Sequence, residues 1–355
     1  MSSSAHARMN CGEFRTTYEQ DTVIFPTPLS RRMMIATILF LLIAPTFLNA
    51  YFLNLGIQIA YYGIAALGLN LVVGFTGQIS LGHAAFFGFG AFASAWLNNT
   101  TGIPVFFCIP LAGVMTMAVG LIVGIPAGRI KGLYLAIATL ASQFILEDFF
   151  ARAEWFTGGV AGAMANPFSL FGFECSTDQR FWYVALVYLV VMYLLATNLL
   201  RTRDGRAFVA VRDHYLSAEI MGINLTKYRI LSFGISSFYA GVGGALFGHY
   251  LGFVSAEGFN ILLSIQFLAM IIIGGLGSVM GSLMGTVFMV LLPEVMEAGV
   301  SVAGHFLPGI TQALAYIKEM SIGLAIILFL IFEPDGLAHR WKMIKAYWKL
   351  YPFSY

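Results

Sequence analysis

Charged side chains are missing from long stretches of this chain, and that pattern decides the solvent in which it can fold. From Met33 to Phe332 the ionisable residues fall in short clusters separated by apolar runs. Many of these runs reach the about 20 residues that a helix needs to cross a hydrocarbon core about 30 Å thick. Only 10% of the 355 residues are Asp, Glu, Lys or Arg, against roughly 25% in an ordinary soluble domain. Hydrophobic residues make up 59%, more apolar surface than a water-exposed fold of this size can hide. The chain therefore reads as one polytopic, all-α membrane protein rather than two soluble domains.

Nine segments are apolar enough to enter a membrane, approximately 33–54, 55–75, 79–97, 103–127, 132–150, 181–200, 228–254, 261–293 and 317–333. The eighth is too long for one span, and Gly274-Gly275-Leu276-Gly277-Ser278 interrupts it. Lys and Arg favour the cytoplasmic side of short loops. Arg31 and Arg32 then put the N-terminus inside. Alternation along the chain puts Arg129, Lys131 and the loop at about 201–227 inside as well. The basic tail (Arg340, Lys342, Lys345, Lys349) joins them only if 261–293 enters and returns, as two short spans or a re-entrant hairpin. About ten membrane-entering segments result, with internal pseudo-symmetry expected. Of the 19 basic residues, all but Arg152, Arg180 and Lys318 fall inside. The layout is a cytoplasmic extension over 1–30, a transmembrane domain over 31–337 and a basic cytoplasmic tail over 338–355. External loops are expected at 151–180 and about 294–316.

Several function classes drop out. A net charge of +2 gives no nucleic-acid footprint. Cys11, Cys108 and Cys175 are too few and scattered for a disulfide framework or a zinc site. No phosphate-cradling Gly-x-x-x-x-Gly-Lys-Ser/Thr run is present, so the chain is not expected to hydrolyse ATP. No nucleophile, base and orienting group are recognisable together, so no enzyme activity, metal or cofactor is expected. Ion-coupled carriers usually carry carboxylates or His relays in their spans. Here only His83 and His249 are ionisable near span centres, beside neutral Gln58, Asn70, Gln78, Gln143 and Gln266.

Three features carry the functional reading. Glycines repeat every four residues at Gly120/Gly124/Gly128, Gly244/Gly248/Gly252 and Gly277/Gly281/Gly285, a spacing that lets helix backbones approach in lipid. The run from Gly74 to Gly90 mixes glycine, hydroxyls and aromatics where a plain lipid-facing helix has no need of them. Non-helical backbone is tolerated at membrane depth only inside protein or along a cavity. This run and the Gly274–Ser278 break are therefore the candidate substrate-path elements, with Gln78, Ser80, Gly82, His83, Thr139, Gln143, Gln266 and Gly275 as path residues. For His83, hydrogen-bonded packing competes with a ligand role. Third, 204–222 reads as one amphipathic helix with Phe208, Val211, Tyr215, Ala218 and Met221 on a stripe. Gly222 with Asn224 marks its stop. Such a helix either lies on the membrane surface or docks a cytoplasmic partner.

The motif set resembles the Liv-type permeases of ABC importers for branched-chain and other hydrophobic amino acids, in their LivM branch. The resemblance rests on Gly68-Leu69-Asn70-Leu71-Val72-Val73-Gly74 followed by Gly77-Gln78-Ile79-Ser80-Leu81-Gly82-His83-Ala84-Ala85-Phe86. It continues through Gly132–Leu140, Thr157-Gly158-Gly159, Gly205-Arg206-Ala207-Phe208 and Ala218–Asn224. It ends with Gly274–Ser278 and Phe332-Glu333-Pro334-Asp335-Gly336-Leu337. Two departures stand out: the first 30 residues, and Val160-Ala161-Gly162-Ala163 after Thr157-Gly158-Gly159. The resemblance implies a multi-pass permease of a bacterial inner membrane, with both termini cytoplasmic. It implies a second related permease, two cytoplasmic ATPases and a periplasmic binding protein as partners. It makes 201–227 the ATPase-coupling loop, with Arg206, Phe208, Arg212, Asp213, Glu219 and Gly222 as coupling residues. Urea, short amides and aromatic compounds stay open as substrates beside branched-chain amino acids. A self-sufficient secondary transporter or channel is the rival class.

Overall fold

The computed structural model describes residues 28–130, 132–170, 173–174, 177–304 and 313–350. The extension up to residue 27, Cys11, Lys131 and Cys175 lie outside these.

The apolar runs fold as helices: α1 (Pro28–Ile43), α2 (Ala50–Val73), α3 (His83–Thr101), α4 (Val105–Ala127), α5 (Leu133–Arg152) and α6 (Asp178–Arg201). The loop after α6 forms α7 (Arg203–Asp213) and α8 (Tyr215–Ile220). Then follow α9 (Leu225–Leu251), α10 (Ile261–Gly274), α11 (Val279–Gly304), α12 (Leu314–Phe332) and α13 (Gly336–Leu350). Seven of these helices are long and apolar enough to cross a membrane. Polar caps set several starts. Asn224 Oδ1 accepts the Lys227 N–H at 3.0 Å, and Asn260 Oδ1 accepts the Leu263 N–H at 3.2 Å.

The expected boundaries shift in two places. The first apolar stretch divides at Ala44–Asn49 rather than at 54–55, because Pro45 cannot continue α1. The long eighth segment is a hairpin of unequal arms, 14 residues in α10 and 26 in α11. At about 1.5 Å per residue α10 is about 21 Å long, too short for a full span. Its chain arrives through residues 252–260, in which Phe253–Val254 pairs antiparallel with Ala163–Met164 and Ala256–Phe259 makes one 3-10 turn.

α9 is the axis of the bundle and packs against α2, α3 and α4. The central windows of α2 and α9 are each 72% buried, whereas that of α12 is 11% buried. Small residues make this possible. A Cβ on Gly244 of α9 would lie 1.8 Å from the Phe87 carbonyl oxygen of α3, and one on Gly120 of α4 would lie 2.1 Å from Ser237 Oγ. The glycine repeats are therefore contact faces, with two corrections: Gly252 lies past the end of α9 at φ +74° and Gly277 lies in the break before α11 at φ +75°, so neither is on a helix face. Above the level of His83 the interior is filled by aromatic rings. Phe87 sits 5.3 Å from Phe247 and 5.4 Å from Phe267, ring centre to ring centre.

Candidate functional site: two chain breaks clasped to one loop

The first break runs from Gly74 to Gly82. α2 ends at Val73, and residues 78–82 run back along the bundle as non-helical backbone. The return is fixed by His83, whose Nε2 lies 2.8 Å from the Ala65 carbonyl oxygen. Ala65 lies about two turns before the end of α2, so α3 begins inside the bundle. A helix that begins there needs partners for its first N–H groups. Ser264 Oγ of α10 accepts the Ala84 N–H at 2.9 Å, and Gln143 Oε1 of α5 accepts the Ala85 N–H at 2.9 Å. Gln143 Nε2 donates to the Phe259 carbonyl at 2.7 Å. Thr139 Oγ1 accepts the Leu81 N–H at 3.0 Å, and a Cβ on Gly82 would lie 2.5 Å from the Thr139 carbonyl oxygen. Gln78 Nε2 donates to Ser232 Oγ at 2.8 Å and to Thr76 Oγ1 at 2.9 Å. Side chains alternate along this extended piece: Gln78 and Ser80 are buried, and Ile79 between them is 44% exposed.

The second break, Gly275–Ser278, lies beside the first. Asn70 bridges them. Its Oδ1 accepts the Gly277 N–H at 2.9 Å, and its Nδ2 donates to the Ser278 carbonyl at 2.8 Å and to Ser282 Oγ at 2.7 Å. Arg212 of α7 completes the clasp. Its Nη1 donates to the Gly74 carbonyl at 2.7 Å while Nε pairs with Asp213 at 2.8 Å. The same guanidinium lies against Gly277, where a Cβ would be 2.8 Å from Nη1, and its stem lies against Gly77. Both glycines have positive φ, +69° and +75°. One arginine of the loop thus touches both breaks.

The loop differs from the expected single helix. His214 is extended, at φ −155°, and its ring Nδ1 lies 3.1 Å from Ser217 Oγ, a local side-chain bond that competes with continued helix. The stripe is split accordingly. Phe208, Val211 and Ala218 are buried, whereas Tyr215 and Met221 face outward. Leu216, Ile220 and Met221 leave an exposed apolar patch on α8, with Ile220 86% exposed. Gly222, at φ +83°, closes α8 by donating its N–H to the Glu219 carbonyl at 2.9 Å. Beside it lies a cleft of about 590 Å³ lined by Glu219, Arg129, Arg229 and Asn224 among others. Arg206 is exposed and donates to the Arg201 carbonyl at 3.1 Å.

Of the expected path residues, Gln78, Ser80, Gly82, His83, Thr139 and Gln143 converge on the first break, and all six are buried. Gly275 is buried in the second break, at φ +113°. Gln266 stands apart, half-buried on α10. The sequence reading missed Asn70, Ser232 and Ser264 as members of this network. For Asn70 a signal existed, since it is the one amide in the last turns of an otherwise apolar helix. His249 is held by Ser94 Oγ at 2.7 Å from Nε2 and by the Asn166 carbonyl at 2.7 Å from Nδ1. Both span histidines therefore sit in hydrogen-bonded packing. At the other end of α2, Tyr51, Asn54, Gln58, Asp178 and Glu294 line a cleft of about 400 Å³. Among the described residues no group of His, Cys, Asp and Glu is arranged to hold a metal.

A mainly helical chain with seven membrane-length helices among the described residues, two broken segments inside the bundle and one inter-helix loop clasped to both is a multi-pass membrane protein. Comparison with known proteins supplies the family. The chain belongs to the family described as branched-chain amino acid transport system / permease component, whose profile matches residues 51–332. It is 32% identical over 300 residues to the high-affinity branched-chain amino acid transport system permease protein LivM of Salmonella typhimurium, covering 78% of this chain and 67% of the relative. The Escherichia coli LivM is 31% identical over the same shares. More distant is BraD of Pseudomonas aeruginosa, another branched-chain amino acid permease protein, at 24% identity over 80% of this chain and 94% of the relative. No solved structure matches the chain.

Proposed function

We propose that this chain is one permease subunit of an ABC importer that moves branched-chain or related small hydrophobic amino acids across the cytoplasmic membrane. It pairs with a second Liv-type permease. Of the two cytoplasmic ATPases, one docks on this chain's α7–α8 loop, and a periplasmic binding protein delivers substrate at the opposite end. The observation that carries this reading is the Arg212 clasp, which joins an exposed loop to both chain breaks. A force applied to α8 by a partner reaches the breaks through one buried-to-exposed connection.

In this reading α1 to α6 and α9 to α12 are the ten membrane-entering helices, with α10 a partial span. An even number leaves both termini on one side, and the basic clusters favour that side as the cytoplasm. The two helix–glycine break–helix units, α2–α3 and α10–α11, are read as counterparts in an internal repeat. The interior is packed with aromatic rings, so substrate passes along the outer face of the breaks, against the second permease. With few charges along the route, selection rests chiefly with the binding protein.

The test is reconstitution of the chain with its companion permease, the ATPases and the binding protein in proteoliposomes. ATP-dependent uptake of leucine, isoleucine or valine, lost when the binding protein is omitted, is the expected result. Uptake by this chain alone, driven by an ion gradient, would mark a secondary transporter and overturn the reading.

A further inference from the structure

The last helix carries a surface that the transport reading leaves unused. The first turn of α13 is locked to the second break. Gly336, at φ +74°, sits so close to Gly275 that a Cβ on it would lie 2.5 Å from the Gly275 Cα. Ala338 is buried beside it, and Arg340 pairs back to Glu333. From Trp341 to Tyr347 every residue is exposed.

Two stripes run along this exposed stretch. Leu337, Trp341 and Ile344 follow each other at spacings of four and three, which is one helix face. In the sequence Trp348 continues it. Trp341 and Ile344 are 48% and 49% exposed, and Tyr347 is 60% exposed at the stripe's edge. Lys342 and Lys345 form the neighbouring stripe, which Lys349 extends in the sequence. Neither Lys342 nor Lys345 has an ion-pair partner among the described residues. The sequence from Gly336 to Tyr355 holds no Asp or Glu.

An indole-bearing apolar stripe bordered by lysines suits a plane where hydrocarbon meets headgroups. Lysine stems lie along the apolar side while the ammonium groups reach outward. The position agrees, because α13 starts at the level where α2 and α10 end, on the Arg212 side. Cations without a single acid select an anionic occupant. We propose that α13 is an interfacial helix that binds anionic phospholipid headgroups through Lys342 and Lys345, with Trp341 and Ile344 at the acyl boundary. This inference does not depend on what the protein transports.

The test uses the full chain in nanodiscs of phosphatidylcholine containing rising fractions of phosphatidylglycerol. A spin label is attached at Ile344→Cys after Cys11, Cys108 and Cys175 are replaced by Ser. The readout is its accessibility to oxygen against a water-soluble nickel chelate. Phosphatidylglycerol is expected to shift the label from water to the acyl boundary. Lys342→Gln and Lys345→Gln should each raise the fraction needed for half the shift about fivefold, and high salt should raise it further. Arg152→Gln, at the opposite end, should leave it unchanged. A label that stays in water at every composition overturns the proposal. So does one equally buried in pure phosphatidylcholine and unmoved by the lysine substitutions, which would mean contact with protein or neutral lipid.

Discussion

Gln143 shows how much of this molecule rests on single polar side chains. Its amide supplies an acceptor to the Ala85 N–H and a donor to the Phe259 carbonyl, both inside the bundle. Gln143→Leu keeps the volume and removes both, together with the bond that Oε1 accepts from Ser264 Oγ at 3.2 Å. Leaving a buried N–H unpaired costs about 1–3 kcal/mol, so the variant should unfold at a lower temperature in detergent, read by intrinsic fluorescence on heating. Gln143→Glu, which keeps an acceptor for Ala85, should lose less. Arg212 acts differently, because its partners are backbone atoms of the breaks rather than a core residue. Arg212→Met keeps the stem against Gly77 but removes the bond to the Gly74 carbonyl. A charged hydrogen bond contributes about 1.5–3 kcal/mol. Uptake per ATP hydrolysed should therefore fall about tenfold or more in the reconstituted complex, with assembly intact. An unchanged ratio would remove Arg212 from the coupling route.

The breaks are held at the scale of elements. Helix α3 starts inside the bundle only because α5 and α10 each lend a side chain to its first turn. The α10–α11 turn holds only because Asn70 replaces the hydrogen bonds that a continuous helix would have made. Gly275 faces the Asp335 carbonyl, where a Cβ would lie 2.9 Å away, and its φ of +113° excludes ordinary side chains. Gly275→Leu should therefore abolish uptake through strain and overpacking of about 1–3 kcal/mol at the turn. Gly299→Leu, in open space on α11, is the control expected to leave uptake near the parent level. Equal uptake by the two variants would argue that the second break is only a connector.

For the whole molecule, the decisive feature is where the packing is dense. α2 and α9 are enclosed, the rings around Phe87 fill the middle, and α12 is almost bare. With the route along a face, as proposed, the chain alone in liposomes should leak leucine no faster than empty liposomes. A leak above that level would place a route through the single subunit.

Much of this was readable in advance. The apolar runs located the helices to within a few residues, except where Pro45 moved the first boundary. The glycine runs marked both breaks, and the polar residues expected there, from Gln78 to Gln143, do converge. The amphipathic stripe over 204–222 was right in its buried members, Phe208, Val211 and Ala218. It was wrong in assuming one helix, because periodicity does not register a single extended residue such as His214.

Burial in lipid is a property of local composition, so the sequence by itself determined the solvent, the helical class, the chain breaks and the clustering of charge. The partners of polar atoms are a property of distance in space. Arg212 and Gly74 are separated by 138 residues, and Asn70 and Ser278 by 208. Only the tertiary structure decided that one arginine and one asparagine bind both breaks. A hydrogen bond acts over about 3 Å, and no pattern along the chain encodes which distant backbone atoms the packing of α9 will bring that close.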